Sequence, residues 1–190
     1  MNSFEKKYWD KNRLVLGIDE AGRGPMAGPL LVCGVILPIN YQHPLINDSK
    51  KLSEKKRLTC YDDIKKDAIK IVISVVSPKT IDALNIYAAT KKAMEDIVSS
   101  CKVPALVDAM VLNSDIETTS IIKGDQKSLS IAAASIVAKV IRDKIMMSYD
   151  SIYPEYDFKS HKGYPTKKHK QAMETFGLTL IHRKSFTFKG

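Results

Sequence analysis

An apolar run that ends in two carboxylates and a glycine–arginine–glycine turn, "LVLGIDEAGRGP" at residues 14–25, restricts what this chain can fold into more than any other stretch. Leu14–Ile18 reads as a buried strand ending at Asp19. "PLLVCGVILP", bounded by Pro29 and Pro38, reads as a second strand directly after the turn. A polar loop, "NYQHPLINDSKK", then leads to Ser53, a suitable N-cap for the charged helix "EKKRLTCYDDIKKD" with Glu54 in its first turn.

"AIKIVISVV" is rich in β-branched residues and predicts a third strand, stopped by Ser77 and Pro78. Residues from about 80 to 100 suit helix, broken near Asn85. "PALVDAMVL" predicts a short central strand that delivers Asp108, and "TSIIKG" another that ends at the glycine before Asp125. From Ser128 to about Tyr149 the helical period is clearest. Leu129, Ala133, Ile136, Val140 and Ile141 mark its core stripe, with Lys139, Arg142 and Lys144 off it. A Pro- and Tyr-rich loop, "YPEYDFKSHKGYP", a short helix from about Thr166 and a basic end complete the chain. Strands first, then alternating helices and strands, predict an α/β fold with a mixed sheet covered by helices. The 190 residues suit one domain, its core at about 13–150 and a C-terminal extension at about 151–190.

The expected strand ends collect acids: Asp19 and Glu20, Asp108, and Asp125 just beyond a strand. Ligands approach a helix-covered sheet at such ends. Neighbouring strand residues face opposite ways, so a regular strand would separate Asp19 from Glu20; a turn at Gly22 and Gly24 can bring Glu20 round. Oxygen ligands without His or Cys suit Mg²⁺ or Mn²⁺ rather than zinc. Two such ions, about 4 Å apart, serve phosphodiester hydrolysis. His161, His169 and His182 have no metal-site spacing. The surface is basic around this acidic site: 30 Lys and Arg against 21 Asp and Glu give +9, which favours polyanions.

The "GRG" turn has two readings. It is a tight loop with glycines at positive φ and Arg23 in solvent, or it lets bare backbone approach a sugar hydroxyl or phosphate. A 2′-OH donates and accepts, so exposed backbone there can tell RNA from DNA. Lys50 and Lys51 read either as a charged helix approach or as phosphate contacts. Tyr164 packs on the surface or stacks on a sugar or base. Lys123, Ser128, Ser130 and Lys139 surround the fourth acid and are candidates to hold the scissile phosphate. No G-x-S-x-G elbow or Walker loop is present.

Cys33, Cys60 and Cys101 have neither zinc nor disulfide spacing and read as reduced thiols. "MNSFEKKYWDKNR" lacks the apolar core of a signal peptide, and no apolar run approaches the ~20 residues of a membrane span. A cytoplasmic monomer without membrane partners is expected.

"GIDEAGRGPMAGPL", "DSKKLSEKKR", "LVDA", "KGDQKSLSIAAASIVAKVIRD", "HKGYPT" and "HRKSF" occur in the order seen in the ribonuclease HII family, which the chain resembles from about Val15 to Phe186. The resemblance implies a ribonuclease H-like fold, with a five-stranded mixed sheet, flanking helices and a C-terminal helical extension. It places the four metal-binding acids at Asp19, Glu20, Asp108 and Asp125, the junction-reading loop at Gly22, Arg23 and Gly24, and the deoxyribose-packing tyrosine at Tyr164. The implied activity is metal-dependent hydrolysis of RNA in RNA–DNA hybrids, including a nick 5′ to a single ribonucleotide in duplex DNA. Water attacks, leaving 3′-hydroxyl and 5′-phosphate ends. Ala109 departs from the glycine common in the family. Ribonuclease HIII is less similar, with an extra N-terminal domain and Glu as its fourth acid. The ending "SFTFKG" is too short and basic for a clamp-binding peptide. Two other readings remain open: a non-catalytic binder of structured nucleic acid, and a nuclease of the same fold that cuts DNA junctions.

Overall fold

The computed structural model describes residues 1–46 and 52–187. Lys50, Lys51 and the last three residues of "SFTFKG" lie outside that set.

Five strands form the sheet: β1 (Leu16–Ala21), β2 (Leu30–Ile36), β3 (Lys70–Val76), β4 (Ala105–Asp108) and β5 (Thr118–Ile121), in the order β3-β2-β1-β4-β5. β1 runs antiparallel to β2 and parallel to β4; β3 is antiparallel to β2, and β5 parallel to β4. The sheet is therefore mixed, as expected. β1 and β2 are buried on both faces because their side chains alternate between two cores. Leu31, Cys33 and Val35 meet α5 (Leu129–Ile152) and α2 (Glu54–Asp67). Leu30, Val32 and Ile36 meet α4 (Ile86–Cys101), which follows α3 (Pro78–Leu84).

The break at Asn85 is real. This residue has φ 66° and ψ 162°, a backbone conformation no helix can continue through, and its side chain accepts from the Ala88 amide to cap α4. Ser53 and Ser128 cap α2 and α5 in the same way, and Thr166 caps α7 (Lys167–Phe176).

Three features differ from expectation. The N-terminal segment forms α1 (Ser3–Trp9), which seats a fully buried Glu5 at the start of α5. The Glu5 carboxylate accepts from Ser128 Oγ at 2.6 Å and from the Ser130 amide at 2.9 Å, where the unpaired N–H groups of a helix start favour an anion. Ser128 and Ser130 are themselves fully buried, so the expected phosphate contact is not open to them. They close α1 onto α5 instead. Arg142, expected on the solvent side of α5, is 1% exposed. Lastly, the tail loop contains α6 (Phe158–His161) and packs Tyr156, Phe158 and Ile181 against Ala27 and Met146. Among the described residues no helix is long and apolar enough to cross a membrane.

Candidate active site

The parallel register sets Ile18 beside Val107, which brings Asp19 level with Asp108 at the C-terminal ends of β1 and β4. Asp19 follows the face of Gly17 and so points toward α5, where the Ser135 hydroxyl donates to it. Its Oδ1 also accepts from the Glu20 amide at 2.7 Å. Asp108 Oδ1 accepts from the Gly124 amide at 2.6 Å. Ala109, directly after it, has φ 46°, a turn conformation in which glycine would be at ease.

These acids open on a cleft of about 450 Å³ that is also lined by Glu20, Gly22, Arg23, Gly24, Arg57, Ser135, Lys139, Arg142 and Tyr164. β1 keeps its pairing through Ala21, so the glycine turn begins after Glu20 and does not swing it round. Glu20 lines the cleft from the strand itself, with Arg23 3.5 Å from its carboxylate. Burial raises the Asp19 pKa well above the ordinary carboxylate value, and the charges of Glu20 and Asp108 raise it further. Glu20 is raised too, by burial and then by Asp108, with Arg23 opposing. Such a cluster gains from a cation.

Three carboxylates and a serine hydroxyl make an all-oxygen, hard donor set, which fits a divalent cation of the Mg²⁺ or Mn²⁺ class. Among the described residues, no three His, Cys, Asp or Glu side chains stand close enough together to form a ready cage. Asp125 is fully buried in a 3-10 turn, Gly124–Gln126, one residue beyond the amide that binds Asp108, and it does not line the cleft. Lys123, at the N-cap of that turn, is likewise not among the lining residues.

Of the other expected site residues, Gly22, Arg23, Gly24, Lys139 and Tyr164 do converge with Asp19, Glu20 and Asp108. Arg57, Ser135 and Arg142 were not foreseen. For two of them a signal exists: Ser135, Lys139 and Arg142 are spaced four and three apart, one polar stripe along α5. Lys139 is held by Asp143 at 2.7 Å, while among the described residues Arg142 donates to the carbonyls of Ala27, Pro29 and Lys162. Gly22 needs its lack of a side chain twice over: it has φ 97°, and a Cβ would stand 2.1 Å from Arg142 Nε. Gly24 faces Tyr164, whose Cε1 would be 3.6 Å from such a Cβ.

The histidines serve the tail. His182 Nδ1 accepts from the Thr179 amide, which leaves Nε2–H to donate to His169 Nε2 at 3.0 Å. His169 Nδ1–H then donates to the Tyr164 carbonyl at 2.9 Å, fixing the backbone of the cleft's aromatic residue. Burial and the neighbouring His169 hold the His182 pKa down to about 4, so this chain of bonds stays neutral.

Residues 16–189 match the family described as ribonuclease HII. A ribonuclease HII of Bacillus cytotoxicus is 53% identical over 175 residues, covering 90% of this chain and 68% of that protein. One from Acholeplasma laidlawii is 50% identical over 188 residues, covering 97% and 93%. Among solved structures, the PCNA:ribonuclease HII complex of Archaeoglobus fulgidus superposes with a TM-score of 0.80 at 25% identity, over 93% of this chain and 96% of that one.

Proposed function

The chain belongs to the ribonuclease HII family and is a ribonuclease H enzyme acting on RNA–DNA hybrids; on that premise we propose that its cleft also nicks duplex DNA 5′ to a single embedded ribonucleotide. The observation that carries this reading is the convergence of Asp19, Glu20 and Asp108 with the Gly22–Gly24 turn and Tyr164 in one cleft. Acids for phosphodiester hydrolysis thus stand beside bare backbone able to meet a ribose hydroxyl.

Asp19, Glu20 and Asp108 are the residues that would hold the divalent ions. Asp125 is the fourth proposed acid, set immediately behind the Gly124–Asp108 bond. Bound there, Mg²⁺ or Mn²⁺ supplies water activation and charge neutralisation at the scissile phosphate. Ser135 keeps the Asp19 carboxylate oriented toward the cleft. Arg23, Arg57 and Lys139 line the same cleft with positive charge and attract the phosphates on either side of the cut. Lys50 and Lys51 are proposed to extend that contact along the backbone. Tyr164 is 44% exposed and stacks on the deoxyribose that follows the ribonucleotide. Water is the nucleophile, and the products are 3′-hydroxyl and 5′-phosphate ends. The enzyme is proposed to work in the cytoplasm, as a monomer.

An end-labelled DNA duplex with one ribonucleotide tests the reading. Mg²⁺ or Mn²⁺ is expected to yield a single nick on its 5′ side, and EDTA to prevent it. Absence of a nick with either metal would refute the proposal, and cutting of an all-DNA duplex would favour a junction nuclease. Tyr164→Ala is expected to slow this nick by roughly tenfold or more, the scale of one lost stacking contact, with little change in melting temperature because the ring is exposed. A rate equal to wild type would reject the stacking role.

A further inference from the structure

Behind the Gly22–Gly24 turn lie two buried guanidinium groups, and neither has a hydrogen-bonded carboxylate among the described residues. Arg183, in the basic C-terminal segment, is 2% exposed. Its Nη2 donates to the Gly22 carbonyl at 2.7 Å, its Nη1 to the Arg23 carbonyl at 3.1 Å and its Nε to the Gly28 carbonyl at 3.0 Å. The Phe186 ring covers the guanidinium, with centroid 5.0 Å away. Burial and the nearby Arg142 charge lower the Arg183 pKa to about 9, yet the group keeps its proton at neutral pH. A buried cation that spends all three kinds of donor on backbone carbonyls fixes those peptide groups firmly.

Two of those carbonyls belong to the turn that faces the cleft. Its peptide bonds are trans, so each N–H points opposite to the carbonyl that precedes it in the same peptide plane. Drawing the Gly22 and Arg23 carbonyls onto Arg183 therefore turns the Arg23 and Gly24 amides the other way. Among the described residues neither amide donates to a backbone carbonyl of a turn or loop. Gly22, Arg23 and Gly24 all line the cleft, and Gly24 is bare on the side of Tyr164.

We propose that Arg183 is a positioning residue that sets the hydrogen-bond polarity of this turn, so that it meets a ribose 2′-oxygen with two amide donors. The inference rests on the reading of Gly22–Gly24 as the ribose-sensing turn and deepens it. The 2′-oxygen is read as an acceptor. A deoxyribose offers no oxygen there and leaves the donors unmatched, so discrimination depends on both amides facing the ligand together. Lysine in place of Arg183 keeps the charge but loses the planar fork that grips adjacent carbonyls at once.

The test is the ratio of affinities for two duplexes, one all-DNA and one with a single ribonucleotide, measured without Mg²⁺ or Mn²⁺ and with Ca²⁺ present. Wild type is expected to prefer the ribonucleotide. Arg183→Lys, shown folded by its thermal transition, is expected to lose that preference by about fivefold or more, the effect of disturbed charge-assisted hydrogen bonds. Its affinity for the all-DNA duplex should stay near wild type. A merely structural role would reduce the competent fraction and weaken both duplexes equally. Retention of the full preference in folded Arg183→Lys would overturn the inference and leave the turn's own role intact. No preference in wild type would instead overturn the ribose-sensing reading, and the inference with it. Should Arg183→Lys not fold, amide exchange on wild type decides. Protection of the Arg23 and Gly24 amides by the ribonucleotide duplex, and not by all-DNA, supports the assignment; equal exchange in both overturns it.

Discussion

Asp19→Asn will lower the rate of nicking by at least about a thousandfold, the scale on which losing a group that organises transition-state charge registers, and will raise the melting temperature of the metal-free protein. Both effects have one cause. Asp19 is 6% exposed and faces the Glu20 and Asp108 charges across the cleft, so its ionised form is disfavoured in the folded chain. Its folded pKa lies well above the ordinary aspartate value of 3.8, and from 3.8 upward the folded state binds more protons than the unfolded state. Stability from this group accordingly falls as pH rises through that window. Asparagine does not titrate, and its side-chain carbonyl can still accept from the Glu20 amide. The stability gain of Asp19→Asn should vanish at pH 3.8 and below and grow as pH rises through the folded pKa of Asp19, levelling off above it. Added Mg²⁺ should narrow it, because an ion held by the native state stabilises wild type more. Melting curves at several pH values, with EDTA and with Mg²⁺, check the second effect; a single-ribonucleotide duplex checks the first. A pH-independent difference in melting temperature would refute the repulsion account, and near-normal nicking would remove Asp19 from the mechanism.

The sheet was legible because its central strands are buried on both faces, and such strands read as unbroken apolar runs. The acids were legible because each stands where one of those runs stops. Other parts could not be read, for physical reasons. α1 is only seven residues, too short to show a helical period, and its value to the fold lies in Glu5 meeting Ser128 and Ser130, more than 120 positions away. A Ser ahead of a helix beside a candidate phosphate site has the same sequence signature whether it caps the helix or binds the ligand. Arg142 and Arg183 were hidden more deeply. Charged residues are nearly always solvated, and the sequence does not reveal that the glycine turn will present its carbonyls to Arg183, or that Ala27, Pro29 and Lys162 will present theirs to Arg142. Asp125 marks a boundary case: its place in the chain was legible, whereas its withdrawal from the cleft lining depends on how the turn Gly124–Gln126 settles against α5. The same logic explains Glu20. A regular strand was expected to exclude it from the site unless the turn bent early, yet β1 stays paired through Ala21 and Glu20 still lines the cleft.

Gly17→Ala will destabilise the protein by about 2–4 kcal/mol, toward the upper part of the range for forced overpacking, and will lower activity even in the fraction that folds. Gly17 lies on the α5 side of β1, two residues before Asp19. A Cβ there would stand 2.1 Å from the Ser130 carbonyl carbon, 2.3 Å from its oxygen and 2.5 Å from the Ile131 nitrogen. These are backbone atoms in the first turn of a 24-residue helix, so no side chain can rotate out of the way. Either β1 or α5 must shift, and the displacement falls where Glu5 and Ser128 secure the start of the helix. Ser135 and Lys139 ride on that helix, so the hydroxyl that orients Asp19 and the cleft's lysine move with it. For a chain of 190 residues the loss corresponds to a melting temperature lower by roughly 5–15 °C. Nicking measured well below both transitions, and corrected for the folded fraction, should remain reduced by about tenfold, as small misplacements of catalytic groups are costly. Wild-type stability in Gly17→Ala would show that β1 and α5 do not meet backbone to backbone. Normal activity in a destabilised variant would show instead that Ser135 and Lys139 hold their places independently of that contact.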